Sequence, residues 1–248
     1  MGLDALGLGA LGLQSPPPGG GGGGFSPALL PNLWAWWRSD MGVTDVAGKA
    51  SVWGDQSGNG RDWLQTTASR RPAYNTAGAL PHLELRKAAG ANTFMSNNFT
   101  SPTFTDWFVI FIMDLISTPG GEFLSSLGGG AVTVYAHLAG GMYAYWPFSA
   151  AGPATTTGLQ SHSWDGQSVA GTLEARLNGG APVSRSYNGT RSIKAQTALN
   201  AYYTTAGGGQ NDANIYEAIF CAANGGAPAI SPADLALVNA YATARYGV

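Results

Sequence analysis

The residues able to do chemistry in this 248-residue chain are few, and their spacing narrows them further. Four glutamates, Glu84, Glu122, Glu174 and Glu217, are the candidates for glycoside hydrolysis. That reaction needs two carboxylates roughly 5–10 Å apart. None of the four has a second acidic residue two or four positions away, so only facing strands would pair them. His82, His137 and His162 are too far apart to form a metal-ligand pair on one element. Cys221 is the only cysteine, which excludes an intrachain disulfide and a cysteine-rich zinc site. Its setting, Ala218-Ile219-Phe220-Cys221-Ala222, predicts a buried strand in which the thiol acts as a small hydrophobe. No serine sits in a G-x-S-x-G elbow. The tract Gly19 to Gly24 runs into Phe25-Ser26-Pro27 rather than Gly-Lys-Ser/Thr, so it is no phosphate loop. The expectation is a protein that is not an enzyme.

Two constellations point to binding instead. Asp55-Gln56-Ser57-Gly58-Asn59-Gly60 gathers hard oxygen donors with glycines that permit tight turns, and calcium is the ion it would take through Asp55 and Asn59. It lacks the acidic residue that ends a full coordination loop. The alternative is a structural turn in which both side chains bond to nearby backbone. The second constellation is aromatic. Trp36, Trp37, Trp53, Trp63, Tyr143, Tyr145 and Trp146 have ring faces that can stack on sugars, although strand alternation sends about half of such residues inward. Tyr143-Ala144-Tyr145-Trp146 is the best platform for a host surface glycan, with Tyr143 and Tyr145 on one face.

The elements that must position these residues are β-strands. Only 10% of residues are charged, while Gly alone numbers 37, which fits a turn-rich β protein with a polar rather than ionic surface. A net charge of −2 with scattered basic residues excludes nucleic acid as a partner. The chain contains no run of 18 apolar residues, so no membrane insertion by a helix is expected. Phe108 to Met113 is an unbroken apolar run, typical of a strand buried on both faces. Residues 131–138 and 141–146 predict a hairpin, and Leu173 to Leu177 alternates before a turn-forming Asn178-Gly179. Residues 231–246 predict a closing helix, with Ser231 as N-cap, Pro232 first in the helix, Asp234 in a capping box and Gly247 as the stop. Its apolar face is Leu235, Val238, Tyr241 and Ala242.

Residues 1–31 differ in kind. A Leu/Gly-rich leader is followed by Pro16-Pro17-Pro18 and six glycines, a short stiff spacer and then a freely jointed one. It lacks the basic start of a signal peptide, and Leu6 stands where myristoylation asks for Ser or Thr. Leu3, Leu6, Leu8, Leu11 and Leu13 are the anchor expected to plug into a partner chain. The folded unit is then 32–248.

Three stretches together resemble the concanavalin A-like, laminin-G-type domains common in bacteriophage structural proteins. They are Leu33 to Asp40 followed by Trp53-Gly54-Asp55-Gln56-Ser57-Gly58-Asn59-Gly60, then Ala175 to Gly179, and Ile215 to Glu217 running through Ser231-Pro232 to the Tyr246-Gly247-Val248 tail. The resemblance covers roughly residues 28 to 248 and implies an all-β antiparallel jelly-roll sandwich with a C-terminal helix. It also implies a virion context: a tail fibre, tail appendage or head decoration displayed as a homo-oligomer and joined to other virion proteins through the leader. A carbohydrate-binding receptor-recognition module and a glycan-degrading enzyme are the other roles this fold hosts.

Overall fold

A computed structural model describes residues 24–87, 92–96, 104–117, 121–126, 133–137, 141–145, 158–167, 171–186, 197–199 and 212–248. The leader residues Leu3, Leu6, Leu8, Leu11 and Leu13 lie outside them, as does Trp146. Eight strands form a first antiparallel sheet. In spatial order they are β14 (Val183–Ser186), β13 (Thr172–Leu177), β12 (Gly158–Gln167), β8 (Asp106–Ser117), β16 (Asp212–Ala223), β6 (His82–Leu85) and β5 (Ala73–Asn75), with β1 (Leu33–Arg38) also paired to β16. The second sheet runs β11 (Gly141–Tyr145), β10 (Thr133–His137), β9 (Gly121–Ser126), β15 (Thr197–Leu199), β7 (Met95–Ser96), β4 (Trp63–Leu64), β3 (Ala50–Trp53) and β2 (Val43–Asp45). The chain is a lectin-like jelly-roll β-sandwich closed by one helix, α1 (Pro232–Tyr246).

The first sheet is buried on both sides because its central strands carry apolar residues at both parities. Along β8, Trp107, Val109, Phe111 and Met113 enter the core between the sheets. The intervening Phe108, Ile110 and Ile112 enter a second core beneath α1. Strand β16 does the same with an interruption. Ala213 and Ile215 face the inter-sheet core, a register shift falls between Ile215 and Glu217, and Ala218 and Phe220 then face inward. The bulge moves Glu217 to the helix side. An extra residue in one strand does this because side-chain direction has a period of two.

Helix α1 starts and stops where its residues dictate. The Ser231 hydroxyl oxygen accepts from Asp234 N at 3.1 Å, and Gly247 at φ 76° donates back to Thr243 O. Val238 and Ala242 are buried on the outer core, with Leu235 packed partly against it. Asn178 and Gly179, at φ 48° and 64°, make the turn that follows β13, closed by Gly180 N donating to Leu177 O. Leu30 is also buried in the outer core, and Phe25 packs edge-on against Tyr241 with ring centroids 6.2 Å apart. Phe25 and Leu30, on the leader side of residue 32, thus pack against the outer core.

Candidate functional site

The Asp55 loop is organised by hydrogen bonds. Its Oδ1 accepts from the Trp36 and Ser57 amides at 3.0 and 2.8 Å, and its Oδ2 accepts from the Ser57 hydroxyl and the Arg61 amide at 2.7 and 3.0 Å. The Asn59 side chain donates to Trp34 O at 3.1 Å, and the Asp55 amide donates to Asp62 Oδ1 at 2.8 Å. Three donors from the loop and the Trp36 amide of β1 share the two carboxylate oxygens, the chemistry of a turn. Among the described residues, no group of three or more His, Cys, Asp or Glu side chains is placed to hold a metal.

The aromatic residues divide sharply. Trp36, Trp37, Trp53 and Trp63 are all buried, which removes them as sugar platforms. Tyr143 and Tyr145 remain on β11, the terminal strand of the second sheet. Their place in the sheet follows from backbone register. Leu199 lies in the inter-sheet core, Leu199 pairs with Leu124, Leu124 with Val134 and Val134 with Ala144. Positions 134, 136, 142 and 144 share one face of the β10–β11 hairpin, which joins β9 through a register shift between Val134 and Tyr135. Positions 135, 143 and 145 share the opposite one, with Tyr135 directly across from Tyr143. Tyr135, Tyr143 and Tyr145 thus share one backbone face of the hairpin.

The most elaborate polar centre was not among the expected sites. Glu217 is completely buried beneath α1. Trp36 Nε1 donates to its Oε1 at 2.5 Å, the Tyr241 hydroxyl donates to the same oxygen at 2.9 Å, and the Tyr246 hydroxyl donates to Oε2. Arg245 Nε lies 3.7 Å from Oε2, while Arg245 Nη2 donates to Asp40, which also accepts from Nε and Nη2 of Arg38. Burial pushes the Glu217 pKa up, opposed by the Tyr246 and Trp36 hydrogen bonds and the Arg38 charge. Burial raises the Tyr241 and Tyr246 hydroxyl pKa values as well, so both stay donors. This is a helix clamp, closed to solvent. Only the alternation of Tyr216 and Glu217 against an amphipathic helix carrying two tyrosines signals it in the sequence.

Several other titratable groups among the described residues have structural partners or are buried. Cys221 is buried and its thiol is pushed up to about 12, which leaves it inert. Glu84 holds Asn75 and Arg86, and Glu174 holds Arg176 and Ser184. No helix among the described residues is long and apolar enough to cross a membrane.

No known family profile matches the sequence, and no curated protein matches it. Solved structures do. The binding domain of botulinum neurotoxin serotype D superposes with a TM-score of 0.57 at 10% identity, over 85% of this chain and 52% of that one. The same serotype solved in complex with N-acetylneuraminic acid gives 0.56 at 10% identity, over 85% and 51%. The binding domain of Paraclostridial mosquitocidal protein 1 gives 0.57 at 11% identity, over 85% and 52%. A Trypanosoma rangeli sialidase gives 0.51 at 6% identity, over 84% of this chain and 33% of the enzyme. The chain spans about half of the toxin binding domains, none of these three proteins is a virion protein, and what the likeness establishes is the lectin-type sandwich.

Proposed function

We propose that this chain is a non-enzymatic glycan-recognition module, displayed on a particle and tethered there by its leader. The observation behind the reading is the register of the β10–β11 hairpin, in which Tyr135, Tyr143 and Tyr145 share one face. Ring faces stacked on a sugar need little else to bind. The complex of a similar sandwich-bearing domain with N-acetylneuraminic acid makes sialylated glycans the first ligands to try. The particle half of the reading rests on the leader's composition and on the resemblance to bacteriophage structural domains.

One or two stacked rings supply only a few kcal/mol, so each site binds at roughly millimolar strength, about −4 kcal/mol. Many copies on one particle then provide useful adhesion. The test is a titration of the purified chain with sialylated and neutral oligosaccharides, with Tyr145→Ala beside it. Binding lost in the variant with folding intact supports the reading. Tight binding that survives the substitution, or steady release of reducing ends from host polysaccharide, overturns it.

A further inference from the structure

A β-sheet edge carries unpaired backbone donors and acceptors, and proteins blunt such edges with charge, proline or a covering loop. Three edges here are blunted in these ways. Strand β14 carries Arg185 and β2 carries Asp45. On β5, Tyr74 N donates to Gly48 O, and the flanking Pro72 O accepts from Ala50 N, each at 2.9 Å. The free side of β1 is covered too, since Trp36 N donates to Asp55 Oδ1 and Gln56 N donates to Trp36 O. Strand β11 differs. Its five residues, Gly-Met-Tyr-Ala-Tyr, contain no charge and no proline, and among the described residues it pairs with β10 alone.

The order of residues in that strand also has a symmetry. When Gly141–Tyr145 is laid antiparallel against itself about its centre, Gly141 faces Tyr145, Met142 faces Ala144 and Tyr143 faces itself. Every pair except the central one sets a large residue against a small one. An aromatic residue opposite glycine is a favourable cross-strand pair, because the ring lies over the space the missing side chain leaves. An isologous twofold contact needs this kind of self-complementarity. We propose that β11 is a self-pairing edge, along which two copies of this chain join antiparallel about a twofold axis at Tyr143. The second sheets of the two copies then become one. The pairing stands independently of glycan binding, whereas its consequence rests on that reading: Tyr135, Tyr143 and Tyr145 of both copies form a single continuous face.

The test reads mass and cross-linking in the full-length chain. Sedimentation of the wild type shows a concentration-dependent dimer. Tyr143→Lys and Tyr143→Glu, which set like charges against each other, each weaken it at least tenfold, and their equimolar mixture restores it. Tyr143→Cys gives a second measurement that does not depend on charge. Directly paired residues lie about 4.5–5.5 Å apart between Cα atoms, within disulfide range. This variant therefore oxidises to a covalent dimer. Tyr145→Cys, which opposes Gly141 rather than itself, does not, and the buried Cys221 stays silent in both. A wild type that stays monomeric at high concentration overturns the proposal. So does a dimer unmoved by either charge, or equal cross-linking at 143 and 145. A dimer lost on deleting residues 1–24, without cross-linking at 143, assigns the edge to the leader and overturns it as well.

Discussion

On the outer face of the first sheet, Phe108, Ile110 and Ile112 lie buried beneath α1, whereas on the outer face of the second sheet Leu64 is 44% exposed. The residues behind them are equally buried, since Phe111 and Trp63 both fill the inter-sheet core. What differs is the cover. A covered face admits a polar group only if its bonds are satisfied, which is why Glu217 meets Trp36, Tyr241 and Tyr246. A position open to water, such as Leu64, sets no such demand.

The largest effect that separates the two faces comes from charging each. Val238→Asp places an unpaired carboxylate in the outer core, at a position with no exposure. The expected loss is about 4–5 kcal/mol or more, a fall in Tm on the order of 10–20 °C. Helix undocking is checked by thermal unfolding with tryptophan fluorescence, since Trp36 lies beneath α1. A variant that melts with the wild type means that α1 is not docked there.

The pH dependence sharpens the contrast inside the first sheet, where burial disfavours the charged form of ionisable groups. His162 has neither ring nitrogen bonded, and burial lowers its pKa to about 3. The unfolded chain takes up that proton near pH 6.5, so the stability tied to neutral His162 is complete above that pH and is lost as pH falls toward 3. The span is up to about 5 kcal/mol. Asp165, paired across β8 with Phe108 on the helix side, runs the other way. Burial raises its pKa to about 6, despite the Gln167 hydrogen bond and the Arg176 charge. Its contribution is therefore complete below the unfolded value near 3.8 and is lost as pH rises to about 6, roughly 3 kcal/mol in all. Urea unfolding across pH 3–8 should show Asp165→Asn more stable than wild type at neutral pH and His162→Phe less sensitive to acid. Parallel curves for all three chains would remove both assignments.

The smallest expected effect is the control. Leu64→Asp, the same kind of change on the other outer face, should alter stability by no more than about 0.5 kcal/mol. A large loss in urea unfolding would mean that this face is covered as well.

Much of the architecture is legible in local sequence. The apolar run at Phe108 to Met113 announces burial on both sides, and Ser231, Asp234 and Gly247 mark the helix ends by their own hydrogen bonds. The Asn178-Gly179 turn is equally local. The Glu217 clamp is not, since its donors come from residues 36, 241 and 246 and a bulge at Ile215/Glu217 decides which way the carboxylate points. Period-two reading carried across that bulge puts Glu217 on the wrong side. The tryptophans failed as platforms for a related reason: alternation says that some face inward but not which, and here a helix covers the outward one as well.

The pairing of β1 with β16 has a consequence in time rather than in space. Trp36 lies opposite Ile219, so the strand that opens the folded body finds its neighbour almost at the other end of the sequence. Strand β8, in the middle of the first sheet, needs that same late strand for one of its two sides. Little of the sandwich can close until β16 has been synthesised, and contacts this remote make folding slow. Until then the tryptophan-rich β1 and the apolar β8 stand without their partner strand, in the interval when such chains most readily aggregate.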